Sequence, residues 1–100
     1  MRIFEKSTGL YVLVDLDFNI LNYNKKFLKA VGMSPEELLK KNLIHFIPKI
    51  FRNKIKLLQN YLRYHNEASG EFALSNVKEG GSIDIFINAI KDNNTIFMLI

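Results

Sequence analysis

Apolar residues recur along the chain with two different periods, and the changeovers divide it into a strand-like start, a helical middle and a strand-like end. Residues 10–14, "LYVLV", are apolar and partly β-branched in loose alternation, and "NILNY" resumes that character after the turn-forming Asp15, Asp17 and Asn19. So short a connection predicts an antiparallel hairpin. Phe18 is an awkward occupant of its tip, where Gly or a polar residue would be easier.

From Asn24 the period changes. Asn24 is placed to cap a helix by accepting the amide proton of Lys26 or Phe27. Phe27, Leu28 and Val31 then share one face, and Lys25, Lys26 and Lys29 turn to water. Gly32 can end the helix at positive φ without a Cβ penalty. A second short helix starts at Ser34, with Pro35 at N1, Glu37 completing a capping box, and Met33 and Leu38 at staple spacing. After the apolar "LIHFIPKI", a long helix is expected from 48 or 49 to 65. Phe51, Ile55, Leu58 and Leu62 line its inner face, flanked by Ile50, Leu57 and Tyr61, opposite a polar stripe of Lys49, Arg52, Lys56, Asn60 and Arg63.

The last third returns to period two. "GEFALSNV", "SIDIFINAI" and "TIFMLI" read as three strands, separated by the turn signals "EGG" and "KDNN". In the middle strand Ile83, Ile85, Ile87 and Ala89 share one face, and Asp84, Phe86, Asn88 and Ile90 share the other. The order strand, strand, helices, three strands predicts an α+β fold: a five-stranded antiparallel sheet with a central helical excursion packed on one face. One hundred residues without repeat or linker make one domain, 1–100. The chain ends within an apolar strand, so a longer parent protein is expected beyond Ile100.

Composition narrows the function more than it defines it. With 14 basic against 10 acidic residues the net charge is +4, scattered rather than clustered, so no nucleic-acid partner is expected. The stripe Lys49, Arg52, Lys56 and Arg63 is the only feature that would favour one. The absence of Cys excludes disulfides, thiolate metal sites and thiol nucleophiles. No apolar run is long enough to span a bilayer, and "MRIFEKSTG" lacks the apolar stretch of a secretory signal, so a cytoplasmic setting without membrane contact is the expectation. No spacing of nucleophile, base and orienting group suggests an enzyme, and no His/Asp/Glu cluster suggests a metal. Ser34 is accounted for as a cap, and Asp15 and Asp17 as turn residues.

The ordered set Asp15, Ile20, Asn24, Phe27, Gly32, Glu37 and Leu38 within "LVDLDFNILNYNKKFLKAVGMSPEELLKKNLIHFIP" resembles the first half of a PAS domain. The long helix and closing strands match the second half by order and length, so the resemblance covers about residues 9–100. Phe18 departs from it, because the family often has Gly in that turn. The resemblance implies a non-catalytic sensory and dimerisation module. Such a module relays a conformational signal to an attached output domain, for instance a histidine kinase of a two-component system, and some members bind a small molecule in the core. A ligand-free interaction domain with a solid core is the alternative. Haem-binding members carry their iron ligand seven residues after the matching Pro48, where this chain has Ile55, which disfavours haem. Flavin adducts and chromophores linked through Cys are disfavoured for want of a thiol, and the cofactor, if any, stays unknown. Candidate pocket residues are Phe27, Leu28, Ile55 and Leu58 on the helices, with Phe72, Leu74, Phe86 and Asn88 facing them from the sheet, the solvent or dimer face being the equal alternative for Asn88. Ile83, Ile85 and Ile87 are then expected on the outer face as a homodimer contact, with an N-terminal segment as a second candidate.

Overall fold

The structure, a computed structural model, describes residues 9–100; the N-terminal segment 1–8, read above for a secretory signal and as a dimer contact, lies outside them. The hairpin strands are β1 (Tyr11–Asp15) and β2 (Ile20–Tyr23). The excursion contains α1 (Lys25–Val31), α2 (Pro35–Leu38), 3-10 turns at Leu43–Phe46 and Lys49–Phe51, and α3 (Arg52–Tyr61). Strands β3 (Glu67–Ser75), β4 (Ser82–Asp92) and β5 (Thr95–Leu99) close the fold. All neighbours pair antiparallel in the order β2-β1-β5-β4-β3, so the first and last strands lie side by side in the middle of the sheet. This is the α+β architecture expected from the pattern.

Asn24 joins the layers as a cap and as a tie. Its Oδ1 accepts the amide of Phe27 at 3.0 Å, as expected for the N-cap, and also that of Tyr11 at 3.2 Å. Its Nδ2 donates to the Gly9 carbonyl at 2.9 Å. One buried side chain thus fastens the entry to β1 against the start of α1. At the other end of α1, Gly32 takes φ 72° and its amide donates to Leu28 O. A Cβ there would strike the Asn76 side chain, which itself accepts the amides of Lys78 and Glu79 to shape the β3–β4 turn.

Phe18 resolves the oddity of the first turn. It does occupy the left-handed region, at φ 69°, but its ring is fully buried. The turn around it is held by the Asp15 carboxylate, which accepts the amides of Asp17 and Asn19, each at 2.9 Å. Asn42 braces it from the excursion through Nδ2 to Asp17 O at 2.7 Å. The ring is a plug, and the backbone cost of about 1–2 kcal/mol for a left-handed L-residue is smaller than the value of a buried Phe, about 3–5 kcal/mol.

Two helical expectations change. Ser34 does not cap the α2 amides; its Oγ donates instead to Glu37 Oε1 at 2.9 Å, on the exposed side of this four-residue helix. The long helix is shorter than 48–65: Phe51, at φ −104° and ψ 1°, breaks it into a 3-10 turn before α3. His65 lies past its end, stacked on Tyr61 at 4.0 Å. Ile55 and Leu62 are buried, worth about 1.5–3 kcal/mol each, whereas Leu57 and Ile50 are exposed, so the buried stripe is narrower than the apolar one.

The middle strand reverses its expected faces. Ile87 is fully buried and Ala89 nearly so, with Ile85 packed against the same core, while Phe86 is 48% exposed and Asn88 also faces water. Register explains this: Ile85 and Ile87 pair with Phe72 and Gly70, and Ala89 pairs with Met98, all on the helix side. Ile83 shares that side near the sheet's end, where it is half exposed.

Two substitutions test these ties. Asn24→Ala, which removes the cap and the side-chain ties to Tyr11 N and Gly9 O, is expected to cost about 2–3 kcal/mol in urea unfolding. Phe18→Gly relieves the backbone but empties the plug, so it should destabilise by about 2–4 kcal/mol; a stabilised Phe18→Gly protein would refute the plug.

Candidate functional site

Four of the helix- and sheet-side pocket candidates, Phe27, Ile55, Phe72 and Leu74, are fully or almost fully buried in one continuous core. Phe27 meets Phe46 edge-on at 6.4 Å. Leu28 is partly buried and borders a groove of about 750 Å³ between α1, α2 and the β3–β4 turn, where Lys29, Glu37, Lys78 and Glu79 make the rim polar. Phe86 and Asn88 do not join these residues, because they point from the opposite side of the sheet. The eight candidates are therefore split between an interior, two margins and an outer face.

Leu58 and Phe72 come together at an open cleft of about 400 Å³ between α3 and the edge strand β3. Its walls are Leu57, Leu58 and Tyr61 from the helix and Ala68, Gly70 and Phe72 from the strand. Leu57 is 70% and Tyr61 50% exposed, so the helix wall presents apolar surface to water. Gly70 keeps the strand wall thin: a Cβ there would approach the Phe72 ring to 3.0 Å.

One cation enters this apolar setting. Lys54 Nζ donates to the Glu71 carbonyl at 2.6 Å and lies 4.9 Å from the Phe72 ring centroid and 5.8 Å from that of Phe51. Such cation–π contacts contribute about 0.5–1 kcal/mol at exposed positions. The side chain bridges α3 to β3, and a second hollow of about 530 Å³, bordered by Phe51, Glu71 and Ile85, lies on its other side. Lys54 and Gly70 were missed from the sequence. The available signal was the helical row Ile50, Lys54, Leu57 and Tyr61, a lysine within an otherwise apolar stripe.

The outer sheet face is the second candidate surface. Leu13, Phe97 and Ile90 are aligned across three neighbouring strands, with Leu99 and Phe86 beside them. Phe86, Ile90 and Leu99 are exposed. Tyr11 lies on the same face, its ring edge-on to Phe97 at 4.4 Å. Burial raises the Tyr11 phenol above the ordinary tyrosine value. Among the described residues no group of three or more His, Cys, Asp or Glu side chains could hold a metal ion, and no helix is long and apolar enough to cross a membrane.

The family model described as "PAS fold" matches residues 1–91 of the chain. Among solved structures, the chain is similar to the PAS domain of an HTR-like protein from Haloarcula marismortui, with 15% identity, TM-score 0.82, and coverage of 98% of this chain and 89% of that one. It is similar to a domain of a sensory box sensor histidine kinase/response regulator from Geobacter sulfurreducens, with 13% identity, TM-score 0.82, and 96% and 84% coverage. It is also similar to the PAS domain of the RpfR quorum-sensing receptor from Cronobacter turicensis in complex with BDSF, with 13% identity, TM-score 0.80, and 97% and 95% coverage. That receptor domain in complex with C12:0 matches with 13% identity and TM-score 0.78, over 97% of this chain and 94% of that one. No curated protein matches by sequence.

The Tyr11 environment predicts a pH effect. A phenol whose folded value is raised contributes stability that is complete below about pH 10 and is lost as pH rises through the folded value. Unfolding free energy should therefore fall at alkaline pH, and Tyr11→Phe should make that fall shallower; an unchanged slope in urea titrations across pH 9–11 would contradict it.

Proposed function

The chain belongs to the PAS family, and from that premise we propose that it is a sensory and dimerisation module that passes a conformational signal to an attached output domain. PAS domains are generally non-catalytic sensory modules, and no residue set described above argues for chemistry of its own. The observation that carries the reading is the alternation along β4. Ile87 and Ala89 touch the helix-side core, while Phe86 and Ile90, adjacent in the chain, present apolar surface on the outer face. A shift in packing or occupancy on one side of this strand moves the contact surface on the other, which is what a two-state relay needs.

The histidine kinase/response regulator neighbour supports a signalling enzyme as the output, and the two receptor complexes support a small-molecule ligand. A cytoplasmic setting belongs to the same proposal. The homodimer contact is reassigned from Ile83, Ile85 and Ile87 to Leu13, Phe86, Ile90, Phe97 and Leu99, because Ile85 and Ile87 are occupied by the core. One observation favours the second reading, a ligand-free interaction domain. Phe27, Ile55 and Leu74 pack within the interior, so a ligand among them would have to displace side chains.

Sedimentation velocity tests the relay surface. The wild-type chain is expected to dimerise with increasing concentration and the double substitution Phe86→Glu, Ile90→Glu to stay monomeric; a wild-type monomer at high concentration would remove the dimer from the proposal. Native mass spectrometry of the protein purified from cells separates the two readings, since a retained small molecule supports the sensor and its consistent absence supports the solid interaction domain.

A further inference from the structure

Resting on the sensor reading, we propose that the cleft between α3 and β3 takes a linear amphipathic monocarboxylate, its carboxylate on Lys54 Nζ and its apolar chain along Leu57, Leu58, Tyr61 and Phe72. Three observations converge on that chemistry. The first is charge. No carboxylate of the described residues lies within ion-pair distance of Lys54. Its hydrogen bond to the Glu71 backbone carbonyl uses one of the three ammonium donors. An anionic oxygen completes this site with charge-assisted bonds, whereas a neutral or cationic head would cover the ammonium without compensating it.

The second is shape. The strand side of the cleft is lined from Glu67 through Ala68, Ser69 and Gly70 to Phe72, about 17 Å at the rise of a strand. A lining spread along one strand and one helix suits an extended chain laid beside them. Gly70 gives the cleft depth, since a side chain there would press on Phe72 and fill it. The third is the far end. Glu67 borders the cleft away from Lys54, so a ligand with acid groups at both ends meets like charge there, and a chain ending in a methyl group does not. Occupancy also has a route to the sheet, because the ligand shares the ammonium with the Glu71 carbonyl of the edge strand.

The test is an amide NMR titration with sodium dodecanoate, dodecanol and dodecanedioate below their aggregation concentrations. Dodecanoate is expected to shift the amides of Lys54, Gly70 and Phe72 and to bind about tenfold more tightly than dodecanol, the effect of one charge-assisted contact; dodecanedioate should bind more weakly than dodecanoate. Lys54→Met should weaken dodecanoate about tenfold and leave dodecanol unchanged, while Lys54→Arg retains binding. Lys54 is exposed, so neither substitution disturbs the core. Gly70→Val should block all three probes; if that variant unfolds, the Lys54 pair still decides. Dodecanoate that does not bind, that shifts only interior or outer-face amides, or that ignores Lys54→Met overturns the site. Those outcomes leave the sensor reading standing, because dimerisation and ligand retention are measured without this probe.

Discussion

The buried amide of Asn24 is the constraint on which the two layers depend. A sheet-to-helix junction strands amide donors at the helix start and interrupts the pairing at the strand entry, and both deficits fall at one place here. Asn24 meets them with a single side chain, whose oxygen accepts from α1 and β1 and whose nitrogen donates to the residue leading into β1. A charged carboxylate would keep the acceptor and lose the donor, and an apolar residue would lose both. From that junction the position of α1 on the sheet follows, and with it the place of Val31 and the Gly32 turn against the β3–β4 hairpin.

The remaining joints work by the same economy of short polar side chains holding large apolar ones in place. Asp15 and Asn42 shape the turn that drives the Phe18 ring inward. Asn76 ties the hairpin to the end of α1. Gln59 reaches Leu16 O from α3 at 3.1 Å. Each bond contributes only about 0.5–1.5 kcal/mol, less than the apolar groups it positions. Their value lies in selecting one arrangement of a core that hydrophobicity alone would hold in several ways.

Function follows from where this core stops. The interior under α1 and α3 is occupied, so chemistry accessible to a ligand moves to its margin, where α3 overhangs β3 and Lys54 spans the gap. On the other side of the sheet the apolar surface of Phe86, Ile90 and Leu99 remains open to a partner. The sheet is a single layer between these surfaces, so the proposed ligand and contact sides are separated by a single residue's reversal along β4. Similarity to solved PAS domains at 13–15% identity carries the fold and no ligand, which is why the cleft's own charge and shape decide the chemistry proposed for it.

Local signals were sufficient for much of this. Period two, period 3.6, the Asn24 cap, the Gly32 stop and the hairpin turns act over a few residues, so the element order and the PAS resemblance were legible in the chain. Phe18 was visible as an anomaly, though its role as a plug was not, because what fills the space behind a turn comes from distant segments. The candidate site divided in the same way. Phe27, Ile55, Leu58, Phe72 and Leu74 lie on the helix-facing side, since helical periodicity and strand alternation identify a shared face. Which face of β4 meets the helices was beyond reach: a strand with Ile83, Ile85 and Ile87 on one side and Phe86 and Ile90 on the other is apolar both ways. Only pairing with Phe72, Gly70 and Met98 broke that symmetry. The helical row through Lys54 was visible, but the cleft itself belongs to tertiary structure, because it forms only when an edge strand from elsewhere in the chain is laid beside that row.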